Sequence, residues 1–228
     1  VLHSIALKAT VPVCIHLDHA TDFDLLKKAS HQGYSSGMID ASSEPLEKNI
    51  ELTKRVVDYA HAYGVSVEAE LGHVGDGIVG RSETSAHGDS GHDSVLTDAE
   101  EMKRFIKETN VDCLAVSFGT SHGVYKCTPH LELDLLAELN AQSTVPLVVH
   151  GGSGTPDDQM QEAVKRGICK VNIFSDILKS YFQELRRFLD EQENLSLWTI
   201  TAYETAINAM KETVQQKIHL LGSDGKAN

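Results

Sequence analysis

Short blocks of consecutive apolar residues alternate along this chain with longer segments whose apolar positions recur every three to four residues. The blocks fall at residues 11–17, 37–40, 65–71, 113–118, 145–150 and 170–174. Largely apolar runs of that length have the character of buried strands, and the intervening period marks helices with one buried stripe. Turn chemistry supports the division. Gly33, Gly64, Gly167 and Gly222 stand where a helix needs a left-handed exit, and Pro156 suits a first helical turn. Thr21 and Thr97 read as N-caps, the second with Glu100 three residues on as a capping box. Alternation of this kind builds a parallel sheet with right-handed crossovers. The expected fold class is α/β.

Two stretches break the rhythm. Residues 73–96 are rich in Gly, Ser, His and Asp and leave the end of a strand, which marks them as a mobile active-site loop. Residues 1–10 have a broad apolar face and read as the tail of a helix with no strand before it. A TIM (β/α)8 barrel needs eight strands, whereas the pattern supplies six. The simplest account is that two βα units precede Val1. The alternative, a complete open sheet, would leave edges that parallel α/β proteins normally cover. The expected organisation is one catalytic barrel domain over 1–228 that closes on C-terminal helices in 175–228. Helical patterns at 175–194 and 199–221 are partly apolar outside the barrel period, which points to self-association as a homodimer or homotetramer.

Composition narrows the function. At 228 residues the chain can bury a full core as one domain, and a formal net charge of −13 argues against broad nucleic-acid or anionic-membrane binding. No apolar run approaches the ~20 residues of a membrane span. Four cysteines without a C-x-x-C spacing suit a reducing cytoplasm better than a disulfide scaffold. Cys14, Cys113 and Cys169 are expected to be buried in strands.

The chemistry lies at strand ends. Val13-Cys14-Ile15-His16-Leu17-Asp18-His19, Phe118-Gly119-Thr120-Ser121-His122-Gly123 and Val148-Val149-His150-Gly151-Gly152-Ser153-Gly154 each bring a histidine to the end of an apolar run. In a barrel these ends meet at one face. Three imidazoles converging there, His19, His122 and His150, are how a catalytic Zn²⁺ is held with one position open. Asp18 stands beside the first, free for proton transfer. His16 lies deeper and reads as a satisfied interior histidine. Asp40 ends its strand. Glu68 and Glu70 share one face of theirs, Glu70 and Asp40 as functional groups and Glu68 as a structural partner of a cation such as Lys170. Gly151-Gly152-Ser153-Gly154 runs toward a helix start near Thr155, a cradle in which backbone N–H groups approach phosphate. Asn172 and Ser175 follow the next strand, and Lys126 offers positive charge or is simply solvated.

On these motifs the chain resembles the class II, zinc-dependent ketose-bisphosphate aldolases, the fructose- and tagatose-bisphosphate type. The resemblance rests on His16-Leu17-Asp18-His19, Met38-Ile39-Asp40-Ala41-Ser42, Val67-Glu68-Ala69-Glu70-Leu71-Gly72 and Gly119-Thr120-Ser121-His122-Gly123-Val124-Tyr125. His150-Gly151-Gly152-Ser153-Gly154 and Gly167-Ile168-Cys169-Lys170-Val171-Asn172-Ile173 complete it in the family's order. The resemblance implies a barrel with two further N-terminal βα units, and His19, His122 and His150 as zinc ligands. It implies Asp40 and Glu70 as ligands of an alternative metal position, and Asp18 as the acid/base at the C4 hydroxyl. Gly123, Gly151, Ser153, Asn172 and Ser175 would cradle dihydroxyacetone phosphate, with Asn172 near the enediolate oxygen and Na⁺ or K⁺ at the same carbonyls. One position departs from the family. Ile78 stands where the loop usually carries an acidic residue, which leaves Asp76, Glu83 or neither as the second base.

The expected function is zinc-dependent, reversible aldol cleavage of tagatose or fructose 1,6-bisphosphate to dihydroxyacetone phosphate and an aldehyde phosphate. The alternatives are the same chemistry on an atypical ketose 1-phosphate, or an inactive metal-binding paralogue. A Schiff-base aldolase through Lys170 would need no metal ligands around it. A metal-dependent hydrolase would carry a His-x-His strand motif that is absent.

Overall fold

The computed structural model describes residues 1–76, 95–123 and 128–227. In chain order the elements are α1 (Leu2–Ala6), β1 (His16–Ala20), α2 (Phe23–His31), β2 (Ser36–Ile39), α3 (Leu46–His61), β3 (Ser66–Leu71), β4 (Gly75–Asp76) and α4 (Ala99–Thr109). They continue with β5 (Cys113–Val116), β6 (Ser121–His122), α5 (Leu133–Gln142), β7 (Leu147–Val149), α6 (Asp157–Lys165), β8 (Ile168–Val171), α7 (Ser175–Asp190) and α8 (Thr199–Leu220). The main sheet is parallel throughout, in the order β1-β2-β3-β5-β7-β8. It curls as part of a barrel.

Side-chain alternation divides each strand between two surroundings. Val67, Ala69 and Leu71 of β3, Leu114 and Val116 of β5, and Leu147 and Val149 of β7 turn outward into one core. There they meet Val56, Val57, Met102, Phe105, Leu136, Leu139 and Met160 from α3, α4, α5 and α6. The intervening residues Glu68, Glu70, Ala115, Val148 and His150 lie on the concave side, and all five are buried. The polar members of the concave face are therefore placed to build a site.

Several expectations need correction. The first strand begins at His16 rather than residue 11, because its partner β2 begins at Ser36, opposite His16. Val11 and Val13 are exposed. The last runs Ile168–Val171 rather than 170–174, opposite Leu147–Val149 of β7, and Phe174 is the N-cap of α7. Cys14 precedes β1 and Cys169 sits on a strand at the end of the sheet, so both are exposed rather than buried.

The caps shift by one residue. Asp22 and Asp98, not Thr21 and Thr97, accept the free N–H groups at the starts of α2 and α4. Thr97 is committed elsewhere: its buried hydroxyl donates to the Leu71 carbonyl and accepts the Ser117 N–H. Asp98 takes the N–H groups of both Glu100 and Glu101. Asp98→Ala should lower stability by about 1 kcal/mol in urea unfolding, and no change would show that those N–H groups are as well satisfied by water.

A two-stranded parallel ribbon, Gly75↔Ser121 and Asp76↔His122, was not foreseen from the pattern. It anchors one end of the loop stem to the segment carrying His122. An antiparallel bridge between His73 and Val95 closes the stem.

Candidate metal centre and active site

The first histidine is placed by an irregular strand. Register shifts between Leu17 and Ala20 of β1, and His19 adopts φ +44, the left-handed region that costs a residue other than glycine. This break in alternation turns Asp18 and His19 toward one side, with His19 Nε2 4.0 Å from Asp18 Oδ1. A regular strand would have sent them to opposite faces.

His19, His122 and His150 are brought together from β1, β6 and the residue after β7, and their ligand atoms lie within 4.8 Å of one another. A second set, His19, Asp40 and Glu70, meets the same limit and shares His19. Asp40 Oδ2 lies 2.9 Å from His19 Nδ1, and its Oδ1 accepts the Ser42 N–H and hydroxyl. Glu68 Oε1 lies 2.7 Å from His150 Nε2. Each carboxylate acts as an acceptor and so holds a proton on the ring nitrogen it faces. The other two ring nitrogens, His19 Nε2 and His150 Nδ1, face each other at 2.7 Å, a hydrogen-bond distance. Without a metal ion a proton on His19 Nε2 joins them; an ion that displaced it would meet a lone pair from each ring.

The electrostatics agree. Burial alone would depress the His19 imidazole, but the Asp40 hydrogen bond with the charges of Glu70 and Asp18 pushes it up to about 9. His122 is driven down to about 3 by burial and by the other two imidazoles, so it is neutral. Burial, reinforced by Asp40, raises the Glu70 carboxyl above its ordinary range. One Glu70 oxygen accepts the Val74 N–H; the other is buried with no hydrogen-bond partner among the described residues and lies 3.9 Å from His150 Nδ1. Imidazoles plus carboxylates are a donor set suited to Zn²⁺, which would displace the extra proton from His19 on binding. The residues present fit a metal ion at either set.

Glu68 is buried and paired with Lys170 at 2.9 Å, the ion pair anticipated for it. Burial would raise its carboxyl, but His150 and Lys170 hold it down to about 2. His16 donates to or accepts from Ser36 through Nδ1 at 2.9 Å. Its Nε2 has no hydrogen-bond partner among the described residues, so it is only half satisfied.

The glycine-rich turn has a packing role of its own. A Cβ at Gly151 would run into the Ser121 carbonyl, and one at Gly152 would meet Val171 and the Asn172 carbonyl. The Gly152 N–H already donates to that carbonyl. These glycines therefore let β6 and β8 approach the turn. The following helix starts at Asp157, with Asp157 and Asp158 in its first turn, which disfavours an anion there. Ser153 instead points at the start of α7, where its hydroxyl accepts the Phe174 and Asp176 N–H groups. Asp176 is balanced by Lys217 of α8 at 2.8 Å. Ser175 opens α7, and Gly123 is buried with φ +77 after His122. Asn172 Nδ2 lies 3.2 Å from Asp18 Oδ1. Lys126, Ile78 and Glu83 lie outside the described residues, as does most of the 73–96 loop.

A curled parallel sheet that gathers imidazoles and carboxylates at the carboxyl ends of its strands defines a (β/α)-barrel-type enzyme with a site able to hold a metal ion. Comparison with known proteins makes the class particular: the chain belongs to the class-II fructose-bisphosphate aldolase family, whose model matches residues 1–226. It is thus an aldolase, a lyase that makes and breaks carbon–carbon bonds. It is 40% identical over 222 residues to the 6-phospho-5-dehydro-2-deoxy-D-gluconate aldolase of Bacillus subtilis, covering 96% of this chain and 72% of that one. It is 38% identical over 227 residues to the fructose-bisphosphate aldolase of Geobacillus stearothermophilus, covering 97% and 74%. The solved YdjI aldolase of Escherichia coli K12 aligns over 99% of this chain and 75% of its own, with a TM-score of 0.82 at 34% identity.

Proposed function

We propose that the protein carries out zinc-dependent, reversible aldol cleavage of a ketose phosphate, releasing dihydroxyacetone phosphate and an aldehyde. The observation that carries this reading is the convergence of His19, His122 and His150, with the His19 and His150 rings each pinned from behind by a carboxylate and Asp18 alongside. His19, His122 and His150 would hold the ion, and Asp40 and Glu70 with His19 would offer it a second position. When bound, Zn²⁺ supplies Lewis-acid stabilisation of the negative charge that develops on the ketose oxygens as the bond breaks. Asp18 takes the proton of the hydroxyl on the carbon that becomes the aldehyde, and returns it in the condensation direction. Asn172 orients Asp18 by donating to Oδ1. Gly123, Gly151, Ser153 and Ser175 are the groups assigned to the substrate phosphate.

For the substrate we favour 6-phospho-5-dehydro-2-deoxy-D-gluconate, on two grounds. Relatives at 40% identity carry that activity in their names, and Ile78 departs from the acidic loop residue usual in the family, which suits an atypical ketose phosphate. Counted from its phosphate end this compound is a ketose 1-phosphate, and cleavage between C3 and C4 leaves dihydroxyacetone phosphate and an aldehyde bearing a carboxylate. The second reading, fructose or tagatose 1,6-bisphosphate, draws on the 38% identical fructose-bisphosphate aldolase.

The test is dihydroxyacetone phosphate release from all three compounds with EDTA and with Zn²⁺ restored. Activity abolished by EDTA and recovered with zinc is expected, with the carboxylated substrate preferred at least about tenfold, a difference of about 1.4 kcal/mol. Turnover indifferent to EDTA would refute the metal reading, and a preference for a bisphosphate would replace the substrate.

A further inference from the structure

On the concave face a single ammonium touches two groups of the site. Lys170, on β8, places Nζ 2.9 Å from Glu68 Oε2 and 2.6 Å from Asn172 Oδ1. Beyond Glu68 stands His150 Nε2 at 2.7 Å, and beyond Asn172 stand Asp18 Oδ1 and, on the same side, His150 Nε2, each 3.2 Å from Nδ2. An ammonium has only donors. Whatever it touches must accept, and whatever lies beyond that partner is constrained in turn.

On the first arm, the ammonium stabilises Glu68 as a buried carboxylate, and the carboxylate holds the proton on His150 Nε2. The lone pair is then on Nδ1, the nitrogen facing His19. On the second arm, the ammonium takes the oxygen of the Asn172 amide. The two ends of an amide are nearly the same size, so only its partners decide which way it points. With Oδ1 committed to Lys170, the amide presents Nδ2 to Asp18 and donates to its carboxylate. Turned over, it would present an oxygen to an oxygen.

We propose that Lys170 is a positioning residue that sets the hydrogen-bond direction on both arms at once, presenting the His150 lone pair to the metal and orienting the Asp18 carboxylate. The proposal rests on the aldolase reading above and adds to it a residue outside both candidate metal sets. Its side chain is about one-third exposed and Glu68 is 1% exposed, so removing the ammonium leaves a buried carboxylate with one fewer partner.

The experiment compares wild type, Lys170→Met, Lys170→Arg and the charge-neutral double variant Glu68→Gln/Lys170→Met. Zinc affinity is measured on metal-free protein by competition with a chromogenic chelator, and kcat and KM on zinc-loaded protein with whichever ketose phosphate the wild type cleaves. For Lys170→Met we expect zinc affinity to fall about 10–100-fold, the usual effect of losing a group that orients a ligand. We expect kcat to fall about 10–100-fold with KM nearly unchanged, as for an interaction felt mainly in the transition state. Lys170→Arg, which also has donors only, should recover most of both.

The double variant separates the arms and guards against misfolding of the single one. The amide oxygen introduced by Glu68→Gln can accept the His150 N–H, so zinc affinity should return while kcat stays about tenfold or more below wild type. Wild-type zinc affinity in a folded Lys170→Met, or wild-type kcat in the double variant, would overturn the proposal. If the wild type cleaved none of the compounds, the functional reading would fail by itself. The zinc measurement would still decide between the loss expected for Lys170→Met and the unchanged affinity that refutes it.

Discussion

Asp18→Asn should lower kcat by about 10²- to 10⁴-fold, the range for removing a positioned general acid/base, while zinc content stays at the wild-type level. The side chain carries little structural load: it is 53% exposed, and the hydrogen bond that orients it comes from Asn172. Asparagine keeps the shape but cannot take a proton at that oxygen. Unfolding free energy should stay within about 0.5 kcal/mol, as for an exposed substitution away from packed structure. Dihydroxyacetone phosphate release and bound-metal analysis on the same preparation read both outcomes. Undiminished turnover would remove Asp18 from the chemistry. Loss of zinc together with activity would show that it serves the metal instead.

His150→Ala should have the larger effect on the molecule, because this side chain serves both the site and the interior. It is fully buried, with Nδ1 facing His19 and Nε2 against Glu68. Truncation removes one of three imidazoles from the proposed zinc set, and Lewis-acid stabilisation worth several kcal/mol goes with it. A loss of about 4 kcal/mol corresponds to about 10³-fold in rate. It also deprives the buried Glu68 carboxylate of a partner, which costs about 1–3 kcal/mol of folding stability. Thermal unfolding with and without zinc separates the two effects. The wild type should melt higher with zinc, by mass action on the folded state. The variant should start lower and gain little. A variant that retained the zinc-dependent rise would place the ion elsewhere, for example on His19, Asp40 and Glu70.

The sequence carried some of this plainly and some not at all. Largely apolar blocks at 65–71, 113–118 and 145–150 anticipated β3, β5 and β7 closely, because those strands are buried on both faces, with Glu68 and Glu70 of β3 the polar exceptions on the concave side. β1 is different. It runs through His16, Asp18 and His19, and only its pairing with β2 makes it a strand. The apolar block just before it misled the reading, since Val11 and Val13 are solvent-exposed. Thr97 and Asp98 are adjacent residues of equal capping chemistry. The choice fell to Asp98 because Leu71 and Ser117, distant in sequence, occupy the threonine.

The same division runs through the site. By itself the sequence determined the family, the parallel α/β plan, and a supply of imidazoles and carboxylates at strand ends, because these follow from residue type and spacing. Only the tertiary structure decided which groups meet. The bulge at His19 turned Asp18 and His19 to one side, and the curl of the sheet carried Lys170 of β8 to Glu68 of β3, strands that are not neighbours. It also decided which nitrogen of each imidazole keeps its lone pair. That property depends on which donor or acceptor stands behind the ring, and such partners come from parts of the chain whose separation no local pattern encodes.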